Sequence, residues 1–156
     1  TRKDEAQSRQ LNMNVSFQDA SDEQGGILRK GSGSQFYNLA STYNIIYLKK
    51  GLSLNLVYNI TYNTIGHTEM LTHGPTVGAS TKLLKQKLNT GLSTSYNTST
   101  QNGLTQNNTF NIRLNTSYTV LKSHNLNFTL ANQYRSMLGK ADTSNLTGTL
   151  GYSYSF

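Results

Sequence analysis

The chain has 156 residues, of which 13% are charged and 35% are hydrophobic, with no Cys, no Trp and a single Pro. Soluble domains typically carry about 25% charged residues, so this composition disfavours an ordinary soluble domain. No apolar stretch approaches the roughly 20 residues that a transmembrane helix requires.

Residues 1–8 are polar and charged and lack any periodicity, which predicts a flexible leader or linker. They include neither an initiator Met nor the apolar segment of a signal peptide, so we expect a processed mature protein or a trimmed piece. Residues 9–156 are predicted to form one domain.

Eight segments of this domain alternate apolar and polar residues with the period of two that is typical of β-strands. In chain order they are residues 11–17, 37–47, 52–63, 76–83, 88–97, 110–120, 126–134 and 144–156. Longer connections are predicted at residues 19–34, 64–74, 100–108 and 139–143, and tight turns at 48–51, 85–87 and 122–124. The sequence therefore predicts an antiparallel up-and-down transmembrane β-barrel of about eight strands, in which the last strand pairs with the first.

Charged residues separate into two groups along the chain. The predicted tight turns carry Lys49, Lys50, Lys85, Lys87 and Lys122, and they define what we call the basic end. The longer connections carry Asp19, Asp22, Glu23, Glu69 and Asp142, and they define the acidic end. We expect the basic end to contact solvent and lipid headgroups, and no nucleic-acid partner, because no aromatic stacking platform accompanies the Lys residues.

All ten Tyr residues occupy apolar positions of the predicted strands and gather toward strand ends. The predicted membrane-interface aromatics are Tyr37, Tyr47, Tyr62, Tyr96, Tyr134 and Tyr152. A Tyr ring favours the acyl boundary and its hydroxyl favours headgroups, so two such bands indicate two membrane interfaces. Core Tyr residues in a soluble sandwich are the alternative.

The polar positions are mostly Asn, Ser, Thr, Gly and Ala, and the only charges among them are Lys82, Arg113 and Arg135. A soluble barrel would place many Lys and Glu residues there. We therefore predict that these three cations face a hydrated, weakly cationic lumen, unless a group of the leader, a loop or another chain neutralises them.

The end of the chain carries a known pattern. Residues 149–156 read polar, any, Gly, any, any, aromatic, any, aromatic. The four specified positions are held by Thr149, Gly151, Tyr154 and Phe156. This resembles the C-terminal insertion signal of Gram-negative outer-membrane β-barrel proteins. The resemblance implies insertion by the barrel-assembly machinery, contact with outer-membrane lipid, and a bacterial outer-membrane location with both termini in the periplasm.

His67, Glu69 and His73 are the ligand types that hold transition metals. Their H-x-E-x-x-x-H spacing is not an established metal motif, so we favour a solvated loop and expect no metal or cofactor. The Gly-rich residues 30–34 lack the ending of a phosphate-binding loop, and residues 91–95 lack the second Gly of a nucleophile elbow.

Three functions remain. The first is a structural or anchoring barrel, which holds loops, an upstream domain or other outer-membrane subunits at the membrane and is not an enzyme. The second is a narrow, weakly cationic pore for small solutes or anions. The third is an enzyme that acts on lipid or peptide through its loops.

Overall fold

The computed structural model describes residues 1–3, 6–20, 23–24, 27–28, 33–120 and 123–154. Within these ranges the chain is all-β apart from one short 3₁₀ turn, Leu48–Lys50. In chain order the strands are β1 Arg2–Lys3, β2 Gln7–Ala20, β3 Glu23–Gln24, β4 Ile27–Leu28, β5 Ser34–Tyr47, β6 Leu52–Ile65, β7 Thr68–Leu83, β8 Leu88–Gln101, β9 Leu104–Val120, β10 His124–Met137 and β11 Thr143–Tyr154.

The eight long strands, β2 and β5–β11, form one antiparallel sheet in which each strand pairs with the next along the chain. The predicted up-and-down order of eight strands is therefore confirmed. The short strands β3 and β4 pair only with each other, within the connection between β2 and β5.

The sheet is open. β11 pairs with β10 on one side, and β2 pairs with β5 and with the two residues of β1. The predicted pairing of the last strand with residues 11–17 is absent from the described part of the chain. Both edges therefore present unpaired backbone groups along most of their length.

The predicted alternation of long and short connections is wrong at two places. β6 runs to Ile65 and β7 begins at Thr68, so most of residues 64–74 lies in strands. β8 likewise runs to Gln101 and β9 begins at Leu104, so the connection predicted at 100–108 shrinks to Asn102 and Gly103.

The backbone at Asn102 and Gly103 explains the second error. Both residues have positive φ, 48° and 79°. This is the geometry of the two-residue hairpin turn that Asn-Gly favours, because its twist matches that of the flanking strands. The Asn-Gly pair predicts a tight hairpin more strongly than the surrounding polar residues predict a loop.

The predicted leader also differs from the structure. Arg2 pairs with Arg9 and Lys3 with Ser8, and β2 begins at Gln7. Part of residues 1–8 therefore belongs to the sheet, at the edge of β2.

The described residues form no second layer over the sheet. Among them, no hydrophobic or polar side chain is buried, and the buried positions are Gly74 and Gly78 of β7. Ordinary domains bury one face of each sheet against another layer. In the part of the chain that the structure describes, neither face of this sheet has such a layer.

The pairing of β7 with β8 is irregular in the middle of β7. The β7–β8 ladder is interrupted between His73 and Thr76, where Gly74 and Pro75 stand. A Cβ at Gly74 would overlap the carbonyl oxygen of Tyr96 and would lie 2.8 Å from Asn97 Cα. That Cβ would point to the side of the sheet shared with Thr72 and Thr76, so the β8 backbone approaches Gly74 closely on this side.

We predict that Gly74→Ala destabilises the protein by about 1–3 kcal/mol, because the added methyl group would force β8 away from β7. Guanidinium unfolding in detergent micelles, followed by far-ultraviolet circular dichroism, measures the change. Gly148→Ala is the matched control, since a Cβ there meets only Leu130 Cδ1 at 3.9 Å. Equal unfolding midpoints for the two variants would show that the close approach of β8 to Gly74 does not exclude a side chain at this position.

Candidate functional site

One face of the sheet is apolar, and we call it the apolar face. It comprises the odd-numbered positions of β2, β5 and β7 and the even-numbered positions of β6, β8, β9, β10 and β11, which the strand registers place on one side. Many of its large apolar side chains are exposed, for example Val15 at 74%, Leu92 at 51% and Leu150 at 76%, and the others are half-buried. We call the opposite side the polar face.

Charges on the apolar face are confined to the sheet ends in the part of the chain that the structure describes. Arg9 lies toward the basic end, and Asp19 and Glu69 lie at the acidic end. Residues 10–18 separate Arg9 from Asp19, which is the 9–11 residues that a tilted transmembrane strand requires. The apolar face is therefore a charge-free band of membrane-spanning height.

All ten Tyr residues lie on the apolar face. Toward the acidic end, the ring of Tyr37 lies 4.8 Å from that of Phe17 and 6.2 Å from that of Tyr62. On the same face, Phe110 of β9 is in register with Tyr96 of β8 on one side and with Tyr134 of β10 on the other.

A second aromatic group lies at the basic end. The ring of His124 lies 5.9 Å from that of Tyr152 and 4.9 Å from that of Tyr154, and its Nδ1 is 2.8 Å from the Tyr152 hydroxyl. Tyr47 stands at the same end, opposite Leu52. The six predicted interface Tyr residues thus divide between the two ends of the strands.

Small side chains make a groove in the apolar face. Val77 and Ala79 of β7 lie between Leu54 and Leu56 on one side and Leu92 on the other. The groove has a volume of about 430 Å³. Its walls offer aliphatic groups of the kind that contact acyl chains.

The polar face is connected by side-chain hydrogen bonds that cross between strands. Asn111 donates from Nδ2 to Ser95 Oγ at 3.1 Å and accepts at Oδ1 from Gln133 Nε2 at 2.9 Å. The hydroxyls of Thr72 and Ser99 lie 2.6 Å apart. In these hydrogen bonds amide and hydroxyl groups pair with one another, and no acidic residue takes part.

Lys82, Arg113 and Arg135 all lie on this polar face. Arg135 donates from Nε to Asn107 Oδ1 at 3.0 Å. Arg113 makes no hydrogen bond or ion pair with any residue that the structure describes. It lines a polar cavity of about 890 Å³, together with Ser95, Asn111 and other groups of β7–β11.

The candidate metal ligands do not converge. His67 lies in the turn between β6 and β7, whereas Glu69 and His73 lie in β7. Four residues of extended strand separate Glu69 from His73, which is about 13 Å. His73 Nδ1 lies instead 3.1 Å from the Tyr58 hydroxyl, and the described residues contain no group of three potential ligands.

The residues of the C-terminal pattern divide between the two faces. Thr149 and Gly151 lie on the polar face, opposite Thr129 and Asn127, and Tyr154 lies on the apolar face. Phe156 lies outside the described residues, as do Asp22 and Lys122.

One carboxylate interaction at the acidic end has no counterpart in the sequence predictions. The Tyr134 hydroxyl donates to Asp142 Oδ2. This hydrogen bond, followed by one with Ser136, holds the pKa of Asp142 below its ordinary value. The β10–β11 hairpin brings these groups together, and only the register of that hairpin, which alternation alone does not specify, could have revealed them.

Comparisons with known proteins add no family to this geometry. Family models, curated proteins and solved structures all give no match to the chain. The part of the chain that the structure describes contains no helical segment with the length and apolar character of a membrane span.

We predict that Tyr134→Phe raises the pKa of Asp142 toward its ordinary value, because the variant loses the main donor to the carboxylate. A carboxyl whose pKa is lowered by folding stabilises the fold above its unfolded pKa and loses that contribution as pH falls through the folded pKa. The difference in stability between the wild type and Tyr134→Phe should therefore shrink in acid.

Titration of the Asp142 carboxyl by ¹³C NMR measures this shift. Tyr96→Phe is the control, since the Tyr96 hydroxyl has no hydrogen-bond partner among the described residues. An unchanged pKa of Asp142 in Tyr134→Phe would show that the hydrogen bond is not the cause.

Proposed function

We propose that the chain is a structural or anchoring protein of the bacterial outer membrane, whose sheet is closed into a transmembrane β-barrel. One observation carries this proposal: within the described residues, the apolar face has no buried side chain and many of its large apolar side chains are exposed. Leaving a Leu-sized or Phe-sized side chain in water instead of burying it forgoes about 1.5–3 kcal/mol. A lipid bilayer covers such a face without a second protein layer.

The edges support the same proposal. In hydrocarbon no water satisfies unpaired N–H and C=O groups, so a membrane sheet must close. The sheet has an even number of long strands in up-and-down order, so β2 and β11 run antiparallel and can pair edge to edge. Closure with the polar face inside agrees with the close approach of β8 to Gly74 on that face.

The start of β2 and the end of β11 indicate how the proposed barrel is oriented in the membrane. β2 begins and β11 ends at the basic end, and the resemblance of the C-terminal pattern favours a periplasmic position for both termini. In this orientation the acidic end faces outward. The partners are outer-membrane lipid, the barrel-assembly machinery during insertion, and other outer-membrane subunits that the barrel anchors.

A pore is the second candidate function. The observation that favours it is the polar face itself, whose cavity of about 890 Å³ includes the unpaired Arg113. Compact eight-stranded barrels are filled by their own side chains. The small residues of this face leave room for water beside the cations.

We predict that cysteines on the polar face of β2 and β11 form disulfides in membranes. Asn14→Cys is combined in turn with Asn145→Cys, Thr147→Cys and Thr149→Cys, a series that samples the unknown register. The chain has no Cys of its own, so every disulfide must join the introduced cysteines. Val15→Cys, on the opposite face of β2, replaces Asn14→Cys in the control series.

Electrophoresis after oxidation detects the disulfide-linked products. A cross-link within one chain, found with Asn14→Cys and not with Val15→Cys, supports a ring of one chain, and a cross-link between chains supports a ring built from copies. A membrane-extracted protein that gives neither product at any register would overturn the barrel.

A further inference from the structure

The strand registers arrange the three cations of the polar face in a regular order. Lys82 is in register with Asn127 of β10, through Asn89 of β8 and Ser117 of β9. Arg113 is in register with Ala131, and Arg135 is itself on β10. Measured on β10, the cations therefore stand at positions 127, 131 and 135, four residues apart at each step.

This spacing limits repulsion between the cations. Four residues of extended strand span about 13 Å, which exceeds the Debye length of about 8 Å at physiological ionic strength. Each cation therefore keeps its own attraction for an anion. The described strand positions of the polar face contain no acidic residue, since Asp19 and Glu69 lie on the apolar face and Asp142 lies in a turn.

Arg113 stands between small side chains and lines the polar cavity. Its register neighbours are Ser93 and Ala131, whose side chains are among the smallest available. Ser95, Asn111 and Gln133 line the same cavity with hydroxyl and amide groups.

The chemistry of this cavity suits an oxyanion. A guanidinium presents a planar fork of N–H donors that matches the oxygens of a carboxylate or a phosphate. Neighbouring amides and hydroxyls add donors without adding negative charge. Lys82 near the basic end and Arg135 toward the acidic end extend the same attraction along the sheet.

The geometry points to a path for small oxyanions along the polar face, in which Lys82, Arg113 and Arg135 are successive sites and Arg113 is the central, selectivity-determining one. This inference rests on the proposed barrel, because only a closed sheet turns the polar face into a conduit. The substrate class is a small carboxylate or a phosphate.

Planar-bilayer recording of the purified protein tests the inference. Under salt gradients, the reversal potential gives the ratio of anion to potassium permeability in potassium chloride, potassium acetate and potassium phosphate. We expect a ratio above one for acetate or for phosphate, and the salt that shows it identifies the carboxylate or the phosphate as the substrate class. Arg113→Glu should lower that ratio several-fold.

The matched control is Lys85→Glu, which makes the same change of charge in an exposed turn and should leave the ratio near that of the wild type. Four outcomes would overturn the path: no conductance, an anion preference in chloride alone, potassium selectivity in the wild type, or equal effects of the two variants. The cysteine cross-links report closure separately, so a closed ring without an oxyanion preference refutes the path and leaves the barrel intact.

Discussion

The exposure of the apolar face is the constraint on which the other properties of the sheet depend. Among the described residues no side chain of this face is buried and many of its large apolar side chains are exposed, while the opposite face carries mainly amides and hydroxyls. Hydrophobic burial is the main favourable contribution to folding, so a sheet of this kind requires an apolar surrounding. On β2 the charge-free stretch between Arg9 and Asp19 has the length of a tilted transmembrane strand, which supports the proposed membrane location.

Strand periodicity then gives the two faces different chemistry. Because successive side chains point to opposite sides, one strand presents Leu92 on the apolar face and Ser93 on the polar face. On the polar face, Asn111 and Gln133 are linked across strands. Lys82, Arg113 and Arg135 lie on the same face, whose described strand positions contain no acidic residue.

Much of the fold could be predicted from the sequence, because alternation is a local signal that eight segments repeat. The first half of β7 could not, because Glu69, His73 and Pro75 interrupt its apolar positions and make it resemble a loop. The polar residues around Asn102 hid a hairpin for a similar reason. Within the candidate site, the face of Arg113 follows from alternation, but its register with Lys82 and Arg135 depends on the registers of three successive hairpins, β7–β8, β8–β9 and β9–β10, which alternation does not specify.

Tryptophan scanning along β8 can show whether the apolar face contacts lipid. The chain contains no Trp, so single substitutions at Leu92, Ser93, Thr94 and Ser95 can each report their surroundings in vesicles with brominated acyl chains. If the apolar face contacts lipid, fluorescence is quenched strongly at 92 and 94 and weakly at 93 and 95. Equal quenching at all four positions, or quenching only at 93 and 95, would refute lipid contact of this face.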